Sequence, residues 1–224
     1  MSQVFMNEVE RLKRQVLSLS AMAEEHVMLA VSALRERDEA KARQVIDADF
    51  QIDAAEVEVE EEGLKILALH QPVAIDLRFV TSVLKINNDL ERIGDIASSV
   101  AKRTIRLGKE PEVDVPEELV ELARHVRDML HDALDAFVNL DDTKAREIYS
   151  RDDRADELAH VVRRLAQAQG ALEPDHLPAY IEIIIIARNF ERIGDLATNI
   201  CEDVIYMLRG EIVRHGGLDE SETL

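Results

Sequence analysis

A chain of 224 residues that is 46% hydrophobic and 33% charged is long enough for one or two compact domains and too apolar to be wholly disordered. Its 27 Lys+Arg stand against 46 Asp+Glu, a net charge of −19 that repels phosphate backbones and anionic lipid surfaces, with no Lys/Arg cluster to offset it. Nucleic acid is therefore not an expected partner.

Eight glycines, five prolines and 4% aromatics, with Ala, Leu, Glu and Arg abundant, describe an all-α chain with few breaks. Residues 1–10 lack an apolar signal region, and the longest aliphatic run, 183–187, falls far short of the ~20 residues that cross a bilayer. A cytoplasmic location is expected. The single cysteine, Cys201, has no disulfide or metal-thiolate companion and reads as core.

The first helix is expected over 4–35, where Leu12, Val16, Leu19, Ala23, Val27, Ala30 and Leu34 recur by threes and fours. Asp38 can cap a second helix that runs to about residue 69, and Gln71-Pro72 breaks it. A third helix over 72–107 carries the stripe Phe79, Val83, Ile86, Leu90, Ile93, Ala97 and Val100. Leu77, Val80 and Leu84 make another side of it apolar as well, which predicts a central position. The polar stretch 108–116, with two prolines, is the expected joint between halves. The fourth helix is expected over 117–139, the fifth over 142–169, a break at 170–178, and the sixth to 209. That last helix mirrors the third through Ile183, Ile186, Phe190, Ile193, Ala197, Ile200 and Val204. Residues 216–224 read as a loose tail.

The plan is written twice. Leu90-Glu91-Arg92-Ile93-Gly94-Asp95 returns 100 positions on as Phe190-Glu191-Arg192-Ile193-Gly194-Asp195. Upstream, Lys41-Ala42-Arg43 returns 103 positions on as Lys144-Ala145-Arg146, followed by Asp49 and Asp53 against Asp152 and Asp156. The expected architecture is two three-helix bundles related by a pseudo-twofold axis, residues 1–108 and 109–215. A glycine costs about 1 kcal/mol inside a helix relative to alanine. Gly94 and Gly194 at matching places thus point to close helix approach or room for a bound group.

Glu91 and Asp95 are four apart, hence neighbours on one helix face, and so are Glu191 and Asp195. In a chain this acidic about nine such pairs arise by chance. Register adds weight. If the second and third helices form a hairpin about Gln71, Asp49/Asp53 come level with Glu91/Asp95, and the same construction brings Asp152/Asp156 level with Glu191/Asp195. Four carboxylates at one level repel unless protonated or bridged by a cation, so one metal site per half is expected. Oxygen ligands favour hard ions such as magnesium, manganese, calcium or iron, with several ions per site allowed. Arg92 and Arg192 read as salt-bridge partners of the neighbouring acids.

The string Gln71-Pro72-Val73-Ala74-Ile75-Asp76-Leu77-Arg78, the stretch Asp89 to Asp95 and its second copy Asn189 to Ile200 resemble the PhoU family of bacterial phosphate-transport accessory proteins. The resemblance covers nearly the whole chain. It implies six helices in two pseudosymmetric bundles, a homodimer, and acidic motifs that bind metals, in some members as multinuclear iron. Those motifs map onto Asp49/Asp53, Glu91/Asp95, Asp152/Asp156 and Glu191/Asp195. Asn199, Glu202 and Asp203 replace Ser99, Lys102 and Arg103 of the first half, so the two sites are expected to differ. The resemblance further implies a non-enzymatic regulator that couples the ATPase of a phosphate ABC transporter to a sensor histidine kinase and keeps the phosphate-starvation regulon off.

Two rivals stand beside this reading. A ferritin-like di-metal oxidase needs Glu-x-x-His on two helices; Glu157 and His160 fit once, while the first-half positions Ala54 and Val57 cannot ligate. The other is a helical adaptor whose acids are merely solvated. There is no nucleophile elbow, glycine-rich phosphate loop or zinc signature.

Overall fold

The computed structural model describes residues 3–213. The first half consists of α1 (Gln3–Glu36), α2 (Glu39–His70) and α3 (Ala74–Leu107). The second consists of α4 (Glu117–Asn139), α5 (Asp142–Tyr149), α6 (Asp152–Leu172) and α7 (Leu177–Arg209), with a 3-10 turn at Pro174–His176. No strand occurs among the described residues. The tail expected over 216–224 lies outside them.

Local chemistry sets the ends. Asp38 caps α2 by accepting from Ala40 N at 2.9 Å and Lys41 N at 3.1 Å, and Asp141 caps α5 by accepting from Lys144 N at 3.0 Å. Gln71 closes α2 in the left-handed conformation (φ 46°, ψ 57°), which turns the chain into α3. The expected start of that helix at Pro72 moves to Ala74, because Pro72 and Val73 stay outside it.

The fifth helix, expected as one rod, is two. α5 ends at Tyr149 and α6 starts at Asp152. Ser150 Oγ donates to Glu147 O at 2.8 Å, and His125 Nε2 of α4 donates to Arg151 O at 2.9 Å. The Arg151 side chain is held by Asp132 at 2.6 Å. A carbonyl drawn to a neighbouring helix is lost to the regular ladder. The corresponding first-half positions are Asp47 and Ala48, and α2 runs through them without a break.

α3 and α7 are the central helices, as their double-sided apolar patterns require. α3 packs on α1, α2 and α7, and α7 packs on α3, α4, α5 and α6. Val83, Ile86, Leu90, Ile93, Ile183, Ile186, Phe190 and Ile193 are wholly buried along them. Polar contacts fix the register of this seam: Lys85 Nζ to Asp203 Oδ1 at 2.8 Å, Asn189 Nδ2 to Ser99 Oγ at 3.0 Å, and Arg103 Nη1 to Glu182 Oε2 at 3.1 Å. The connector at 108–116 is tied down by Arg37, which donates to Glu112 Oε1 at 3.0 Å and to Val113 O at 2.9 Å. Val113 itself is buried.

An 18-residue window of α1 reaches a mean hydropathy of 1.2. Its Leu12, Val16, Leu19, Ala23, Val27 and Ala30 face the bundle interior, the pattern of a core helix.

Candidate metal centres

The α2–α3 hairpin sets Asp49 and Asp53 beside Glu91 and Asp95. Asp49 is half-buried, and burial pushes its carboxyl above the ordinary carboxylate range. The charges of Asp95 and Asp53 push the same way, while Ser98 and Lys102 oppose them. Asp49 Oδ1 is nonetheless buried with no hydrogen-bond partner, and the Ser98 hydroxyl, though near enough to act on it, stops short of hydrogen-bond geometry and is itself unpartnered. Glu91 is raised by burial and then by Asp95, Asp53 and Glu56, against Arg92. Glu56 is raised by burial, Glu60 and Asp53, and accepts from Asn87 Nδ2 at 3.0 Å.

The second half repeats the arrangement. Burial pushes the half-buried Asp152 up to about 6, helped by Asp195, Asp156, Asp153 and Glu191. Its Oδ1 is also buried and without a partner. Asp195 is raised by burial, Asp156 and Glu191, with Arg192 pulling it down. Glu191 meets Arg163 Nη2 at 3.6 Å. All eight sequence-derived carboxylates thus fall into two clusters, one per half. Asp152, chosen over Asp153 on spacing alone, is the one that faces Asp195; Asp153 is exposed. The expected pairing of Arg92 with Glu91 or Asp95 gives way to Asp89, whose Oδ1 lies 3.9 Å from Arg92 Nη1.

The paired glycines serve the two halves differently. A Cβ on Gly94 would fall 2.8 Å from Ile52 Cδ1, so this glycine permits close approach of α2 and α3. A Cβ on Gly194 would meet Asp152 Oδ1 first, at 3.4 Å, so this one leaves room beside a carboxylate.

The break between α5 and α6 opens a cavity of about 770 Å³ on the second cluster, lined by Lys85, Asp89, Arg92, Asp152, Asp195 and Asp203 among others. Burial, then Asp203, push Asp89 up to about 6. Sequence reasoning missed Asp89 as part of this surface, because only the α3–α7 register brings it to Asp203.

Among the described residues no three carboxylate, imidazole or thiol groups stand close enough to enclose an ion as they are placed. The donor chemistry nevertheless fits a hard cation. Each cluster brings four carboxylates together around one buried oxygen that lacks a hydrogen-bond partner, and Asp53, Asp95 and Asp156 beside it are exposed. The oxidase pair fares differently: Glu157 and His160 are exposed on α6, and Glu157 is held by Arg154.

Two helical hairpins joined along their inner helices, each with a carboxylate cluster at the α2–α3 or α6–α7 level, define a duplicated acidic three-helix-bundle protein. The chain belongs to the PhoU family: the PhoU domain model matches it twice, over residues 16–104 and 119–204. It is 34% identical over 220 residues to the phosphate-specific transport system accessory protein PhoU of Serratia marcescens, covering 98% of this chain and 90% of that protein. It is 40% identical over 221 residues to the PhoU homolog of Pseudomonas aeruginosa, covering 97% and 90%. The crystal structure of PhoU from Pseudomonas aeruginosa superposes with a TM-score of 0.90 at 38% identity, covering 92% of this chain and all of that one. The phosphate transport system regulatory protein PhoU from Streptococcus pneumoniae gives 0.87 at 29% identity, covering 94% of this chain and 100% of that one.

Proposed function

We propose that the chain is a non-enzymatic regulator of phosphate uptake and signalling. It acts in the cytoplasm as a homodimer, meets the membrane only through partners, and couples the ATPase of a phosphate ABC transporter to a sensor histidine kinase. The observation that carries this reading is 34% and 40% identity, over nearly the whole chain, to proteins named as accessory components of phosphate-specific transport.

In the same reading each carboxylate cluster holds one or more hard cations, iron, magnesium or manganese. Asp49, Asp53, Glu91 and Asp95 serve the first half, and Asp152, Asp156, Glu191 and Asp195 the second. A bound cation relieves the mutual repulsion of the cluster and gives the orphaned oxygens of Asp49 and Asp152 a partner.

The deciding experiment is affinity recovery from phosphate-replete cells, probed for the transporter ATPase and the histidine kinase. Both should co-purify, and loss of both under gentle conditions overturns the regulatory reading. Metal analysis of protein prepared without chelator tests the centres separately: bound metal should drop sharply in Glu91→Ala plus Asp95→Ala, and unchanged content removes the first site.

A further inference from the structure

Helix α2 carries two apolar seams. Ile52, Val59 and Ile66, seven residues apart, are wholly buried against the bundle. Phe50, Val57 and Leu64 have the same spacing on the opposite side and are 64%, 48% and 53% exposed. Residues two apart on a helix lie about 200° apart around its axis, so one seam faces the core and the other faces solvent. Seven residues make two turns, so the outer side chains rise one above another as the a or d positions of a coiled coil do.

The fold itself does not ask for this seam. At the positions 103 further on, α6 has Asp153, His160 and Gln167, so the second half builds the same bundle with no apolar residue at these places; its exposed Leu165 and Leu172 stand at other positions of the helix. Three large apolar side chains held in water at heptad spacing, at positions where the other half has only polar residues, mark an interaction face rather than a by-product of packing.

The charge around the seam selects the occupant. Glu58, Glu60 and Glu61 flank it, all exposed, and among the described residues no cation pairs with any of them. A second copy laid along this face would set acid against acid at every turn. A partner helix with apolar heptads flanked by lysine or arginine would bury the seam and neutralise both edges.

We infer that the outer face of α2 is a docking surface for a basic amphipathic helix of another protein, with Phe50, Val57 and Leu64 as its apolar anchors. This is independent of whether the carboxylate clusters hold metal.

The test uses the full-length protein and a fluorescent, stapled helical peptide with leucine at its a and d positions and lysine at e and g. A scrambled peptide of equal charge but without a seam serves as control. Fluorescence anisotropy should show saturable binding of the patterned peptide. The affinity should fall about tenfold or more in Phe50→Ser plus Leu64→Ser, and by a similar factor in Glu58→Lys plus Glu61→Lys. These positions are exposed, so helix content and melting temperature should match the wild type, which separates lost docking from lost fold. Absence of binding, or equal binding of the scrambled peptide or by the serine variant, overturns the inference. So does a wild-type dimer that dissociates in the serine variant by sedimentation, since that assigns the face to a second copy.

Discussion

Ile52 Cδ1 in α2 lies 2.8 Å from the point where a Cβ on Gly94 of α3 would stand, and Ile52 Cγ2 lies 3.1 Å from it. Ile52 is wholly buried, so its side chain has little room to give way. Overpacking of this kind costs about 1–3 kcal/mol, against about 1 kcal/mol of helix propensity gained by alanine. Gly94→Ala is therefore expected to destabilise the protein by up to about 2 kcal/mol. Gly194→Ala meets only ordinary contacts, beginning with Asp152 Oδ1 at 3.4 Å, and should be neutral or stabilising by up to about 1 kcal/mol. Urea unfolding of the two variants side by side checks the contrast.

Asp152 and Asp89 are both pushed up to about 6 by burial from the ordinary 3.8. A carboxyl whose folded pKa lies above its unfolded value holds its proton more tightly in the folded chain. Ionising it therefore costs stability as pH rises through about 6, and the cost is relieved as pH falls toward about 4. Chelated, metal-free protein should thus resist urea better at about pH 5 than at about pH 7.5. Asp152→Asn plus Asp89→Asn should flatten that difference. Further acidification acts in the opposite sense: at Asp132 burial is outweighed by hydrogen bonds from Arg151 and Lys144, and its stabilising contribution is lost as it protonates.

Protons and cations compete for the same oxygens. If each cluster holds metal, manganese should raise the melting temperature more at about pH 7.5 than at about pH 5. Asp49→Asn and Asp152→Asn should each lower bound metal by the share of one half, and the double variant should abolish it. Isothermal titration calorimetry with manganese gives the stoichiometry directly. A single variant that empties both halves would show one shared site instead of two.

Cys201 is buried in α7, and burial pushes its thiol up to about 12. Only the thiolate reacts readily with disulfide reagents. Native protein at about pH 8 should therefore be inert to Ellman's reagent, with one thiol appearing on unfolding in guanidinium.

The helical class, the duplication and the levels of the carboxylates were legible because hydrophobic period, repeated strings and hairpin counting are local properties. Asp38 as a cap and Gln71 as a turn were legible for the same reason. The break at Ser150 and Arg151 was not. The stretch 142–169 holds no glycine or proline, and what diverts the chain is a hydrogen bond from His125, 26 residues away. The closeness of Asp89 to Asp203 was equally hidden, since sequence period places a residue on a face but does not set the register of α3 against α7. The outer seam of α2 was hidden by its inner one, because two apolar rows on one helix blur the amphipathic pattern that reveals either.

Residues 108–116 look from composition like a hinge, yet Arg37 grips Glu112 and Val113, and α3 lies lengthwise along α7. The peptide link between the halves is thus mechanically redundant. A protease that nicked it is expected to leave two fragments still held together where α3 packs along α7, each keeping its own carboxylate cluster.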